Sequence, residues 1–199
     1  MEKLKSPKAI QKKILILTSA RDLFIEKGFV NVTMQDIVLA SNISRGGLYL
    51  YFKSTKEIFM EIYKSEVSEI MESVLLENQN DDISSIRVIK NYFSNLQIFL
   101  FDYNTGLSKA AYECFQKNKH EQIIFQWQFD NLVETLRQVL NKGVNSNEFN
   151  NIDCDLWAQH LALMINGMSL LVPVLQFSRQ RFQQEIDFIL SYIINKESF

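Results

Sequence analysis

Proline and glycine are scarce in this chain, with two and six residues among 199. Stretches rich in Val and Thr are equally hard to find. What separates the long periodic segments is Asn, Ser and Asp, a pattern that points to an all-α protein. Cysteine is limited to Cys114 and Cys154, forty residues apart, both in helical patterns and without metal-ligand spacing. They read as buried free thiols in a reducing compartment. Histidine occurs only twice. With no glycine-rich phosphate loop and no paired nucleophile and base, enzymatic chemistry lacks candidate residues, and no metal or cofactor is expected. Long apolar runs are missing too. The run at 14–17 is far too short for a signal peptide, and 161–175 is broken by Asn166, Gly167 and Pro173, short of the roughly 20 residues a bilayer requires. The expectation is a soluble cytoplasmic protein with no membrane partner. Its 47% hydrophobic content supplies a core and argues against disorder over most of the length.

The net charge of −2 hides a split. Residues 1–56 carry ten Lys or Arg against four acids, and the rest of the chain carries 11 against 19. A basic end on an acidic body suggests a polyanion partner at the N-terminus. A solvated basic tail explains Lys3 to Lys13 equally well, but not the basic residues around Arg45 to Lys56.

The pattern predicts helices at about 8–27, 33–40, 44–51 and 54–78, then at about 83–103, 106–117, 120–143, 153–172 and 179–195. Gly28 stops the first. Thr33 to Asp36 has the form of a capping box, a hydroxyl followed three residues on by a carboxylate, and Ser54 to Glu57 repeats it. Between the second and third helices Asn42 is suited to a left-handed corner. Two short helices joined by so tight a turn form a helix-turn-helix.

The third helix breaks a local rule. Adjacent Gly46 and Gly47 cost roughly 1 kcal/mol each relative to alanine. A helix that must lie against a phosphate or base edge gains from them, since no Cβ stands in the way. Ser44 caps this helix, and Arg45 is placed to donate two hydrogen bonds to a guanine edge. Tyr49 and Tyr51 offer hydroxyls to phosphates, with ordinary aromatic packing as the alternative. Lys53 and Lys56 flank the N-terminus of the next helix, which already favours an anion. Thr33 and Gln35 open the second helix within reach of the backbone and groove rim, Thr33 also serving as a cap. Leu48 and Phe52 face the other way, toward Phe24, Ile37 and Ile43.

From Ile16-Leu17, Ala20 and Leu23-Phe24 through Lys27-Gly28-Phe29, Thr33 and Asp36-Ile37 to the run from Ile43 to Ser54, the segment at 12–60 resembles the N-terminal domain of the TetR family of repressors. The resemblance implies a three-helix DNA-binding domain, about 1–53, followed by a larger helical domain, 54–199, that binds an effector and dimerises. It implies DNA-contact positions at Gln35, Arg45, Gly46, Gly47, Tyr49 and Tyr51. Two residues depart from the pattern. The family's turn glycine is Asn42, and the lysine usual at the start of the fourth helix is Thr55, so a phosphate contact there passes to the Thr55 hydroxyl, Lys53 or Lys56.

The C-terminal part carries no motif but is dense in aromatics. Most are core; the surplus suits an apolar cavity with few polar anchors. Candidate lining residues are Phe93, Asn95, Tyr112, Glu113, Phe125, Gln126, Phe129, Trp157, His160 and Met164. The segments 156–172 and 182–194 are apolar on several faces, and the resemblance favours an isologous homodimer interface there. The resulting expectation is a repressor dimer on palindromic operator DNA, released when an unknown, mainly apolar small molecule shifts the helix from Ser54. The same fold without a small-molecule effector is one rival, and a helical enzyme or carrier another.

Overall fold

The computed structural model describes residues 6–103, 107–116, 119–175 and 177–195. Among them are nine α-helices and no strand: α1 (Pro7–Lys27), α2 (Met34–Ser41), α3 (Arg45–Tyr49), α4 (Thr55–Gln79), α5 (Ser85–Ile98), α6 (Leu107–Gln116), α7 (Lys119–Asn145), α8 (Cys154–Leu175) and α9 (Arg179–Ile193). A π-helical turn, Phe99–Tyr103, continues α5. The protein is all-α, and no described helix is long and apolar enough to cross a membrane.

Several helix ends follow directly from local chemistry. Ser6, Ser84 and Ser178 each accept a hydrogen bond from a backbone N–H in the first turn of α1, α5 and α9, satisfying donors that no helical carbonyl reaches. Pro7 occupies the first turn of α1, where its missing N–H costs nothing. Gly28 takes φ 77° and donates its N–H to the Phe24 carbonyl. Two helices outrun the sequence reading. Helix α8 passes Pro173 to Leu175, at the cost of one backbone hydrogen bond in its last turn. Helix α7 passes Gly143, which is no helix stop: a Cβ there would lie 2.1 Å from the ring of buried Phe149. The helix runs on to Asn145, and Asn147, two residues beyond it, takes φ 60°.

The chain divides into two compact units, residues 1–67 with 106–119, and 68–105 with 120–199. The division therefore falls within α4 rather than at residue 54, and α6 belongs with the N-terminal helices. In the first unit Ile16, Ala20 and Phe24 of α1, Ile37 of α2, Leu48 of α3 and Ile58 and Phe59 of α4 are fully buried. Phe24 meets Phe59 edge-on at 5.1 Å, Phe59 stacks on Tyr63 at 6.0 Å, and Tyr63 meets Phe115 of α6 at 5.1 Å. This chain of rings fastens α1, α4 and α6 together. Burial raises the Tyr63 phenol well above its ordinary range. In the second unit Tyr92 and Leu96 of α5, Leu136 and Leu140 of α7, Leu161 and Ala162 of α8, and Phe182 and Ile186 of α9 form the core.

Candidate nucleic-acid interface

The site begins with two caps that fix α2 and α3. Thr33 Oγ1 accepts from the Asp36 N–H at 3.2 Å, and Asp36 accepts from the Thr33 N–H at 2.8 Å. The Thr33 hydroxyl and N–H, with Lys27 beyond them, hold the Asp36 carboxyl below its usual range against a small opposing effect of burial. Asn42 takes φ 51° and ψ 34°, the left-handed corner expected of it. Ser44 then caps α3, its Oγ accepting from the Gly47 N–H at 3.2 Å.

Helix α3 is one and a half turns long with two unlike sides. Leu48 is fully buried and Phe52, just beyond the helix, nearly so. On the outside, Arg45 lies one turn before Tyr49 with its guanidinium 5.9 Å from the ring centroid, a cation–π contact that keeps both side chains on one face. Arg45 and Gly46 are exposed, and Tyr49 is 43% exposed.

The two glycines are not equivalent. A Cβ on Gly46 would meet nothing within 4 Å, whereas one on Gly47 would lie 2.9 Å from Ile43 Cγ2 and 3.0 Å from Ser44 Oγ. The fold itself accounts for Gly47, because a side chain there would push on the cap. It gives no internal reason for Gly46, whose open backbone is available to something outside the chain.

Beyond α3, the Glu57 carboxylate accepts from the Lys53 N–H at 2.7 Å while Ser54 Oγ accepts from the Glu57 N–H at 3.2 Å. This is the expected second box, with its return bond one residue earlier than the pattern suggests. Thr33, Gln35, Ser44 and Lys53 are exposed, and Tyr51, Thr55 and Lys56 half-buried. Of the eleven candidate DNA-contact residues, Gln35 lies on α2, Arg45, Gly46, Gly47 and Tyr49 on α3, and Thr55 and Lys56 at the start of α4, while Thr33 and Ser44 cap α2 and α3 and Tyr51 and Lys53 lie between α3 and α4. One neighbour escaped the sequence reading: Leu50, directly after α3, is 85% exposed.

The ten candidate ligand residues are scattered instead. Phe93 is core, and Phe129, Trp157 and Met164 are half-buried against it. Asn95, Gln126 and His160 are exposed; Gln126 donates to Asp130 at 2.9 Å, and the His160 ring stands edge-on to Trp157 at 5.7 Å. Phe125 is half-buried. Tyr112 and Glu113 lie on α6 in the first unit. Glu113 accepts from the Val30 N–H at 3.1 Å and fills the space where Gly28 lacks a Cβ, so it braces the loop between α1 and α2. A polar cleft of about 490 Å³, lined by Glu134, Arg137, Gln138, Asn141 and Asp155 among others, contains none of the ten. Among the described residues no three His, Cys, Asp or Glu side chains are grouped to hold a metal ion.

Residues 16–62 match the family described as bacterial regulatory proteins, tetR family. The chain is 32% identical over 137 residues to the HTH-type transcriptional regulator YfiR of Bacillus subtilis, covering 67% of this chain and 66% of that one. It is 25% identical over 129 residues to IcaR of Staphylococcus aureus, the HTH-type negative transcriptional regulator of the biofilm operon icaADBC, covering 65% of each. The chain thus spans just under two thirds of these relatives' own length. In structure it is similar to SmeT, solved as a complex with triclosan, with a TM-score of 0.78 at 17% identity over 95% of this chain and 94% of that one.

Proposed function

Because the chain belongs to the TetR family of bacterial regulatory proteins, we propose that it is a transcriptional repressor that binds a near-palindromic operator as a homodimer through α3. One observation carries this reading. A short helix is held by buried Leu48 and Phe52 while its outer side offers Arg45, Tyr49 and the unobstructed backbone of Gly46. Arg45 pairs with a guanine in the major groove. The exposed Thr33, Ser44 and Lys53, with Tyr51, Thr55 and Lys56, contact the sugar-phosphate backbone and set the register. Gln35 reaches the groove rim. Likeness to a negative regulator of an operon supports repression rather than activation.

The test is direct. Purified full-length chain is offered a random-sequence DNA pool, and the enriched sequence is titrated by gel shift at several salt concentrations. Enrichment of a two-fold symmetric site, a steep loss of affinity with salt and a large loss on Arg45→Ala are expected. A protein that enriches no sequence, or whose Arg45→Ala variant binds the enriched site as tightly, refutes the assignment.

The homodimer reading rests on α8 and α9. Leu156, Leu163, Leu171 and Leu175 form an exposed stripe on α8, and Phe188 and Tyr192 are exposed on α9. The opposite side of α8 is committed to the core through Ala158, Leu161, Ala162 and Ile165. An apolar stripe of this length is covered in a stable protein, and a second copy covers it with the same stripe.

For the effector, half-buried Phe129, Trp157 and Met164 beside the core supply an apolar lining, and the buried amide oxygen of Gln128 on α7 has no hydrogen-bond partner. A ligand donor satisfies such an oxygen. The likeness of fold to SmeT, solved as a complex with triclosan, supports a small-molecule effector. Helix α4 contributes residues to both units, which makes it the element an effector displaces. The exposure of Asn95, Gln126 and His160 favours the rival regulator without a small-molecule effector. A screen for compounds that raise the melting temperature and release DNA decides between them, since a releasing ligand must bind the released state better.

A further inference from the structure

Leu50 is the most exposed large apolar side chain among the described residues, at 85%. Isolated exposed leucines are ordinary on a protein surface, so its position has to carry the argument. The Leu50 N–H donates to the Gly46 carbonyl at 3.2 Å, placing it one helical turn beyond the glycine. Residues one turn apart share a side of a helix, so Leu50 and Gly46 lie on the same side of α3, and no atom, Leu50 included, stands within 4 Å of a Cβ position at Gly46. The outer side of α3 thus has two adjacent rows. Arg45 and Tyr49 form a polar one, and Gly46 and Leu50 a smooth apolar one.

Resting on the operator-binding reading above, we propose that Leu50 is a specificity-determining residue that reads the C5-methyl group of a thymine in the major groove, with Gly46 kept free of a side chain so that the two can meet. Leucine offers no hydrogen bond to a phosphate or to a polar base edge. The thymine methyl is the apolar feature that the major groove displays. Five residues of helix advance about 7.5 Å, and successive base pairs stand about 3.4 Å apart. The thymine therefore falls about two base pairs from the guanine assigned to Arg45.

The experiment uses the full-length chain and the DNA it enriches from a random pool. Each thymine of the half-site is replaced in turn by deoxyuridine, which removes the methyl and leaves every hydrogen bond in place. One replacement is expected to weaken the wild-type chain about fourfold per half-site, as for a single methyl withdrawn from apolar contact. Leu50→Ala is expected to be indifferent to that replacement while keeping the wild-type salt dependence, and Leu50→Met to keep the sensitivity. Indifference of the wild type to every replacement, or an unchanged loss in Leu50→Ala, overturns the inference and leaves the operator-binding reading standing. A pool that yields no enriched sequence overturns both.

Discussion

Gly46 in α3 and Gly167 in α8 share an unusual property: both stand inside helices with open space where a side chain would begin. Each costs its helix stability relative to alanine, and neither is explained by packing within the chain. Their surroundings differ completely. Gly46 sits among Arg45, Tyr49 and Leu50 on the unit that holds most of the basic residues, whereas Gly167 lies between Leu163 and Leu171 at helical spacing on an apolar stripe. The same missing Cβ permits close approach in both places, and the neighbouring side chains decide of what. Around Gly46 the chemistry suits a nucleotide edge, and around Gly167 it suits another helix.

The comparison breaks most visibly if the stripe on α8 faces water in the working protein. Leu163→Glu places a carboxylate in the middle of the proposed interface, twice over in a symmetric dimer, and like charges brought together there cost several kcal/mol. A rise of at least about 100-fold in the dimer dissociation constant is expected, read by sedimentation. Unchanged dimerisation would show that the interface lies elsewhere. On the α3 side, Arg45→Ala is expected to remove roughly 1–3 kcal/mol per half-site, the usual worth of a bidentate guanine contact, and to relax specificity at that base pair. Dimerisation should be untouched, because α3 and α8 lie in different units.

What the sequence made legible was local. The caps of α2, α3 and α4 depend on residues three or four apart, and the left-handed corner at Asn42 depends on one residue, so the helix-turn-helix is legible from the sequence alone. Features set by distant neighbours were not legible. Glu113 looked like a polar anchor in an aromatic segment, but its partner is the Val30 N–H, 83 residues away. The helix expected to stop at residue 143 continues, because Gly143 is needed for the Phe149 ring that fills the space of its missing side chain. Density of aromatic residues cannot tell one face of a helix from another, so the candidate pocket residues fall in both units and range from core to exposed. The two glycines of α3 were also indistinguishable, since only three-dimensional neighbours separate an obligatory glycine from a free one.

That separation is itself testable at a smaller scale. Gly46→Ala introduces a methyl group into open space and restricts the unfolded chain, so it should stabilise the protein by roughly 0.5–1 kcal/mol while weakening operator binding. Gly47→Ala must displace Ile43 or the capping hydroxyl of Ser44, and a disturbed cap costs about as much as the substitution gains. No net stabilisation is expected there. Gly167→Ala should resemble Gly46→Ala in the monomer and weaken the dimer instead of DNA binding. Denaturant melts with gel shifts and sedimentation on all three variants test the set, and equal effects of Gly46→Ala and Gly47→Ala on stability would contradict the geometry.

The smallest expected effect asks whether each unit relies on its own support. Glu148 caps the start of α5, accepting from the Ser85 and Ile86 N–H groups at 3.2 and 3.1 Å and from the Ser146 hydroxyl at 2.9 Å. Burial pushes its carboxyl upward, but these donors outweigh it and hold the group below its ordinary value of 4.5. A carboxyl depressed in the folded state binds its proton more readily once unfolded. Its stabilisation is therefore fully present above the unfolded value and disappears as pH falls through the lower, folded one. Glu148→Gln should lower stability at neutral pH by roughly 0.5–1 kcal/mol, about the net worth of one hydrogen bond, and flatten the decline below pH 4.5. Asp36, also held low, sits in the other unit at the cap of α2. At neutral pH Glu148→Gln should consequently leave operator affinity per dimer unchanged. A loss of DNA binding without loss of dimer would mean that the α3 face depends on the cap of α5, and that the two surfaces are not independently supported.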